Sequence, residues 1–265
     1  MTEMMAAPVA AIIGFLAQMV DGTVGMGFGA FSASLLIAAG LYPATASAII
    51  HVAKIFTGAF SGGAHLWFGN VKREWLLPLA LPGMLGGAAG AYLLASVVPG
   101  GAVKPYIALF LLGLGMLMVY RFRPGHALVL EANGSGLPHH HRVPRARLSG
   151  LGFLGGFVDA VGGGGWGPIC TPGLILTGNA EPRKAVGTVN LAEVFVTLSI
   201  SVTFIFTLGL QAIANPLTGA FILGGLVAAV PAAYLCKRLP LPVLGMLVGL
   251  VLIGINLRTV LEAIF

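Results

Sequence analysis

The chain has 265 residues, of which 57% are hydrophobic and 8% are charged. An ordinary soluble domain carries about 25% charged residues, so this composition excludes a soluble protein and indicates a polytopic helical membrane protein. A net charge of +6 would favour nucleic acid as the partner of a soluble chain. Here the basic residues lie between apolar stretches and report membrane topology, so we expect contact with membrane lipid and none with nucleic acid.

The first apolar stretch, residues 8–40, is interrupted near its middle. Asp21 is followed by Gly25, Gly27 and Gly29 at alternate positions, and lipid tolerates non-helical backbone only where it is buried in protein or lines a cavity. The stretch is too long for one straight span of about 20 residues and short for two. We therefore predict two short helices that meet at a glycine-rich elbow. Because no basic segment or cleavage motif precedes the stretch, we expect a membrane segment and not a secretory signal.

Three apolar stretches of roughly 20 residues follow, each long enough to cross about 30 Å of hydrocarbon. They cover residues 44–67, 75–98 and 103–120. The polar residues after them are rich in Gly, Pro, His and Arg, a composition typical of loops. We assign residues 1–121 to a first repeat and residues 122–147 to a cytoplasmic linker.

Residues 148–265 form the second repeat. A shift of 138 positions pairs 11 identical residues among the 27 from Gly14 to Gly40, and it pairs Asp21 with Asp159. The second elbow is followed by three further spans at residues 184–208, 215–236 and 241–257. We predict an all-α integral membrane protein with two repeats, each a broken helix pair plus three transmembrane helices.

The number of spans predicts inverted topology for the two repeats. A broken segment that returns to its starting side, plus three spans, gives each repeat an odd number of crossings. This arrangement places eleven Lys and Arg residues on one side and two on the other, whereas a single crossing would split them eight to five. By the positive-inside rule we expect both termini outside and the linker in the cytoplasm.

The elbows are the predicted substrate-binding region. Helix N-termini present backbone amides that favour anions, and glycine lets a ligand approach those amides closely. Two elbows that face each other would make a positive cradle of hydrogen-bond donors for a small oxyanion. The alternative is that the glycines only allow close helix packing. The candidate contacts are Gly25, Gly27, Gly29, Ser32, Gly163, Gly165, Trp166, Gly167 and Thr171.

Lys54 and Glu193 are charged residues inside predicted spans, where an unpaired charge costs about 3 kcal/mol. They occupy equivalent repeat positions at a shift of 139, as do His51 and Asn190 one helical turn earlier. Two interpretations are open. The first is a structural ion pair between the repeats. The second is that Lys54 contacts the anion while Glu193 or His51 exchanges a proton. We include His51, Lys54 and Asn190 among the substrate-binding candidates.

Asp21 and Asp159 also have two interpretations. Short Asp side chains cap free amides in turns, so each residue is a candidate cap for its own elbow. A carboxylate inside an anion site would repel the substrate unless it were protonated or turned away. The alternative role is therefore proton coupling, in which a buried carboxyl gains and loses a proton during transport.

The sequence offers little for an enzyme or a metal protein. Cys170 and Cys236 lie in apolar segments, without the spacing of a disulfide framework or a metal-ligand set. The linker contains His139, His140 and His141, which prompt an intramembrane enzyme or metal-binding protein as an alternative. We interpret the triplet as a solvated loop and expect no catalytic residue, no metal and no cofactor.

Several motifs resemble the sulfite exporter TauE/SafE family across both halves of the chain. They are the two elbows that run from GF to VD, the run GGGGWG, PRKAVGT at Pro182–Thr188 and NLAE at Asn190–Glu193. The first half departs from the family's segment, because it has PATASAI at Pro43–Ile49. The resemblance implies an inner-membrane permease for small sulfur-containing anions such as sulfite, sulfonates or sulfoacetate.

We therefore expect a secondary transporter that exports such an anion by alternating access at a midplane site between the repeats, driven by protons or by the membrane potential. An inside-negative potential favours outward anion movement by about 2.3 kcal/mol per charge per 100 mV. An anion channel, which needs a continuous pore, is the alternative. The Gly- and Ala-rich residues 83–91 add a homo-oligomer to the expected partners.

Overall fold

The computed structural model is all helical, and the residues that it describes contain no strand. It describes residues 2–24, 27–67, 69–98, 100–123, 143–178, 182–214, 216–236 and 241–264. The helical part of the predicted fold class is therefore confirmed over these ranges.

The first half contains a broken helix pair followed by three long helices. Their bounds are α1 Thr2–Val24, α2 Phe28–Ala38, α3 Pro43–Trp67, α4 Arg73–Tyr92 and α5 Gly100–Phe122. α4 continues directly into a π-helical turn at Leu93–Val97. The order of elements is the one predicted for a repeat.

The second half follows the same order with one short addition. Its bounds are α6 Arg145–Gly162, α7 Trp166–Gly178, α8 Pro182–Leu208, the short α9 Leu210–Ile213, α10 Pro216–Cys236 and α11 Leu241–Ile264. α5 ends at Phe122 and α6 begins at Arg145, so helix extends into both ends of the segment assigned to the linker. Residues 124–142, with His139, His140 and His141, lie outside the described residues.

The two helices of the first broken pair have unequal lengths. α1 has 23 residues and α2 has 11, which correspond to about 35 and 17 Å at 1.5 Å per residue. The prediction of two short helices is wrong for α1, which is as long as α5. α1 begins at Thr2, six residues before the predicted start of the apolar stretch, and ends at Val24, three residues past Asp21.

Three helices among the described residues are long and apolar enough to cross a membrane. They are Pro43–Trp67, Arg73–Val97 and Lys184–Leu208. Shorter apolar helices cover Ala7–Asp21, Phe28–Ala38, Lys104–Tyr120, Pro216–Ala228 and Gly249–Leu261. Large apolar side chains such as Leu85 and Phe206 are 68% and 85% exposed, which suits a surface in contact with hydrocarbon.

The two halves pack on each other reciprocally. α1 packs against α10 and its counterpart α6 packs against α4, while α3 packs against α8 and α5 against α11. Equivalent glycines make the first two contacts close, because a Cβ at Gly14 would overlap the Phe221 backbone and a Cβ at Gly152 the Leu79 backbone. Small residues let membrane helices approach in this way. The core of the molecule is therefore the interface between its halves.

Candidate functional site

The two elbows contact each other backbone to backbone. A Cβ at Gly29 would overlap the Gly163 carbonyl oxygen, and a Cβ at Gly164 would overlap the Ala30 nitrogen. Gly27 precedes α2 with φ 118° and Gly163 ends α6 with φ 70°, both in the left-handed region that favours glycine. The elbow glycines thus allow close packing, and they bring the N-termini of α2 and α7 to one place.

Asp159 closes the second elbow. Its side chain is fully buried, and its Oδ1 accepts the backbone N–H groups of Gly165 at 2.7 Å and Trp166 at 3.0 Å. The Oδ2 atom lies 3.0 Å from His51 Nε2, and the Lys54 ammonium lies 3.5 Å from both carboxylate oxygens. The carboxylate therefore caps the N-terminus of α7 and joins it to α3.

Asp21 occupies the equivalent place at the first elbow. Its Oδ1 accepts the backbone N–H of Phe28, the first residue of α2, at 3.2 Å. Phe28 and Trp166 each lie seven positions after the Asp that accepts their amide. Both repeats therefore close the elbow with the same bond, which also places a negative charge at the positive end of a short helix.

His51 is completely buried, and its two ring nitrogens contact the Ser47 carbonyl and the Asp159 carboxylate. Its Nδ1 lies 2.7 Å from the Ser47 carbonyl oxygen, which can only accept, so Nδ1 is protonated. The 3.0 Å contact from Nε2 to Asp159 then needs a second proton, carried by the ring or by the carboxyl. Ser47 also donates to the Ala160 carbonyl at 2.6 Å. His51 is thus tied into the contact between α3 and α6.

Lys54 and Glu193 form an ion pair across the interface of α3 and α8. The side chains are 9% and 15% exposed, so the pair lies inside the protein with limited access. Their equivalent positions in the two repeats predicted that these residues would face each other. The contact is the one expected of the structural-pair interpretation, and it leaves Lys54 close to Asp159 as well.

Two adjoining cavities lie beside this ion pair. The elbow cavity is lined by Asp21, Gly27, Phe28, Gly29, Ala30, Lys54, Gly164, Gly165, Gly167, Pro168, Val189, Asn190 and Glu193. The lateral cavity is lined by Gln18, Asp21, Phe28, Lys54, Thr57, Gly58, Ser61, Asn190 and Glu193. Both halves contribute to each lining, and the ion pair belongs to both cavities.

The structure brings many of the predicted site residues together. Those that line a cavity are Asp21, Gly27, Gly29, Lys54, Gly165, Gly167, Asn190 and Glu193. Those that are buried nearby outside either lining are Ser32, His51, Asp159, Gly163, Trp166 and Thr171. The indole of Trp166 donates to the Val189 carbonyl at 2.9 Å. Gly25 lies outside the described residues.

Several lining residues escaped sequence reasoning. Gln18 lies one helical turn before Asp21, a spacing that places both on one face of α1 and that could have identified it. Its buried Oε1 has no hydrogen-bond partner among the described residues. Gly164 belongs to the glycine run but was passed over, and Val189 carried no polar signal at all. Only the interhelical packing places Val189 at the elbow cavity.

The site is rich in carboxylates. Asp21, Asp159 and Glu193 surround one ammonium, Lys54, and one imidazole, His51. With every one of these groups ionised, the cluster carries one excess negative charge. The predicted positive cradle therefore consists of the helix amides and Lys54, set against these three acidic side chains.

Few of the described residues at this site could hold a metal ion or act through a thiol. No group of three or more His, Cys, Asp or Glu side chains could hold a metal ion among the residues that the structure describes. Cys170 is buried, and its Sγ donates to the Leu151 carbonyl at 3.7 Å. The cavities present backbone amides, one ammonium, two carboxyl groups, the side-chain amides of Gln18 and Asn190, and the hydroxyls of Thr57 and Ser61.

Broken helix pairs that meet at a buried polar site are typical of membrane transporters. The sequence matches the family described as Sulfite exporter TauE/SafE over residues 10–259. The chain therefore belongs to this family of membrane transporters, as its paired elbow motifs indicated.

A curated sequence relative supports the same class. The chain is 40% identical over 252 residues to the Probable membrane transporter protein YtnM of Bacillus subtilis (strain 168), a match that covers 95% of this chain and 82% of that protein. No solved structure matches the chain. Family and relative both indicate a transporter rather than an enzyme.

Proposed function

We propose that this protein is a secondary transporter that moves a small sulfur-containing anion, such as sulfite or an organosulfonate, out of the cell across the inner membrane. The observation that carries the proposal is the elbow cavity, where the N-termini of α2 and α7 meet the Lys54 ammonium. The family supports a sulfur anion as the substrate.

The elbow cavity offers the donors that a tetrahedral oxyanion needs. The first amides of a helix have no acceptor within that helix, and Gly29 and Gly167 carry such amides at the cavity without side chains to cover them. Lys54 adds an ionised donor, whose hydrogen bonds to an anion are about twice as strong as neutral ones. Several donors can therefore converge on one small ligand.

Alternating access is the transport mode that this arrangement favours. The lining comes from both halves, so a rocking of one half against the other would expose the site first on one side and then on the other. Reciprocal packing of equivalent helices supports two inverted repeats. The basic-residue bias supports termini outside and the linker in the cytoplasm. The driving force is a proton gradient or the membrane potential.

Ligand binding to the purified full-length protein tests the proposal. Sulfite, thiosulfate, sulfate, sulfoacetate and acetate are titrated against the wild type, Lys54→Ala and Lys72→Ala. Lys72 is the matched control, because it pairs with Glu74 at 3.0 Å on the surface and its loss removes the same charge. Loss of one charged hydrogen bond, about 1.5–3 kcal/mol, corresponds to roughly ten- to hundredfold weaker binding.

We expect a sulfur anion to bind the wild type and Lys72→Ala with equal affinity and Lys54→Ala ten- to hundredfold more weakly. Acetate should bind poorly, because it presents only two oxygens to the converging donors. Absence of binding by every sulfur anion contradicts the proposed substrate class. Equal affinity in Lys54→Ala and the wild type contradicts the assigned site.

A further inference from the structure

The proposed anion site has a competitor already in place. The Glu193 carboxylate forms an ion pair with the Lys54 ammonium. Among the described residues, Lys54 is the one amino group that lines the elbow cavity. With its excess of carboxylates, the fully ionised cluster would repel an added anion. An anion can pair with the Lys54 ammonium only when a carboxylate in the cluster is neutralised by a proton.

Asp159 and Asp21 are poor candidates for that change. Asp159 is fully buried and accepts two backbone N–H bonds as well as the contact with His51, and buried carboxylates held by several donors keep their charge. Asp21 accepts the Phe28 amide and holds the first elbow closed. The contact between His51 and Asp159 is enclosed, since both side chains are 0% exposed.

Glu193 differs from both aspartates. Its carboxylate pairs with the Lys54 side chain, and no backbone N–H donates to it among the described residues. Its side chain is 15% exposed and, like that of Asp21, lines both the elbow cavity and the lateral cavity. A protonated Glu193 could turn toward the lateral cavity, where the Gln18 Oε1 atom is a buried acceptor without a partner in the described chain.

We propose that the anion and the Glu193 carboxylate compete for Lys54, so that each bound anion brings one proton onto Glu193. This inference rests on the proposed function and names the proton site within it. The ionisable groups that surround Glu193 on the neighbouring helices are Asp21 of α1, His51 and Lys54 of α3, Asp159 of α6 and Cys170 of α7.

The linkage determines which driving force acts. A monovalent anion that travels with one proton moves no net charge, so the membrane potential does no work on it. The sum of the anion and proton gradients then sets the direction of movement. For a monovalent anion, the competition therefore removes the membrane potential as a driving force and couples transport to the proton gradient. That gradient favours outward movement only where the inside is the more acidic side.

The sign of the pH dependence follows directly. Binding takes up a proton, so affinity increases as pH falls and reaches a plateau once Glu193 is protonated in the empty protein. On the alkaline side the Kd should rise by about tenfold per pH unit for one linked proton. Glu193→Gln keeps the side chain's shape without the charge, so its affinity should be high and independent of pH.

The test uses methanesulfonate and thiosulfate, whose own charges stay constant across the neutral range, with the full-length protein. Glu74→Gln is the matched control, because Glu74 pairs with Lys72 on the surface and should keep the wild-type slope. Proton release or uptake is also measured in weak buffer on the wild type, where about one proton should be taken up per anion bound. That measurement needs no variant.

The outcomes separate this inference from the proposed function. A pH-independent wild-type Kd, an unchanged slope in Glu193→Gln, or binding without proton uptake each overturns the competition while the anion site stands. No binding of any sulfur anion at any pH overturns both. A further readout is transport in proteoliposomes. The rate of methanesulfonate transport should be independent of an imposed membrane potential in the wild type and should depend on it in Glu193→Gln.

Discussion

Lys54 and Glu193 lie at equivalent positions of the two halves and form an ion pair with each other. An interface between related halves brings equivalent positions together, so a charge at one of them needs its opposite at the other. The pair lies where the two cavities adjoin. It therefore joins the structural and the functional interpretations of these residues in a single contact.

Exchanging the two charges tests how far this contact is symmetric. Lys54→Glu alone adds a fourth carboxylate to the cluster and should cost about 3–5 kcal/mol, the range for breaking a buried pair. Adding Glu193→Lys restores an ion pair but leaves the new carboxylate beside Asp159, so the double variant should recover only part of the loss. Apparent melting temperature in detergent measures both. Full recovery would mean that Asp159 contributes nothing to the Lys54 environment.

The two elbow aspartates should differ in their effect on stability. Asp159→Ala removes the acceptor of two amides and leaves Lys54 and His51 without their shared carboxylate, a loss of about 3–5 kcal/mol. Asp21→Ala removes one capping bond, worth roughly 1 kcal/mol. Thermal unfolding followed by size-exclusion chromatography should show a much larger shift for Asp159→Ala. Equal shifts would contradict the different roles assigned to the two carboxylates.

Gly29 should be intolerant of a methyl group, although it lies in a helix where alanine is normally favoured. Gly29→Ala drives a Cβ into the Gly163 carbonyl, and such overpacking costs about 1–3 kcal/mol or more. Gly63→Ala in α3 is the control, because nothing lies within 4 Å of its Cβ position. We expect Gly29→Ala to lower the melting temperature and weaken anion binding. A Gly29→Ala protein as stable as Gly63→Ala would contradict the backbone contact between elbows.

Trp166 anchors the second elbow to α8 through one hydrogen bond. Trp166→Phe leaves the Val189 carbonyl without the indole donor in a fully buried place, which should cost about 1–3 kcal/mol. Trp67→Phe serves as the control, because that side chain is 88% exposed. The free energies of unfolding of the two variants should separate clearly. Similar values would argue against the bond.

Much of the fold could be predicted from the sequence because the same pattern occurs in both halves of the chain. The shared Asp-to-glycine pattern predicts both elbows, and the shift of 139 positions predicts that Lys54 and Glu193 occupy equivalent positions. A local pattern of this kind specifies which helices form and which helices of the two halves are equivalent. The length of α1 is not predicted because the apolar pattern begins at residue 8, whereas the helix begins six residues earlier, at Thr2.

The details of the site depend on how helices cross, and periodicity carries no information about that. His51 reaches Asp159 across 108 positions, and Gly29 touches Gly164 between halves. Each contact needs the relative rotation and depth of two helices to within one side chain. Sequence could therefore nominate His51 and Gly29 as candidates, and only packing decides that the first holds α6 and the second holds the opposite elbow.

The Lys54–Glu193 pair also requires the two halves to differ in sequence. A dimer of identical half-length proteins related by a twofold axis would present the same residue at both positions, and two lysines or two glutamates would repel there. An ammonium and a carboxylate can face each other only after the two copies are encoded separately. The charge pair at the centre of this protein therefore depends on the two halves differing in sequence at these positions.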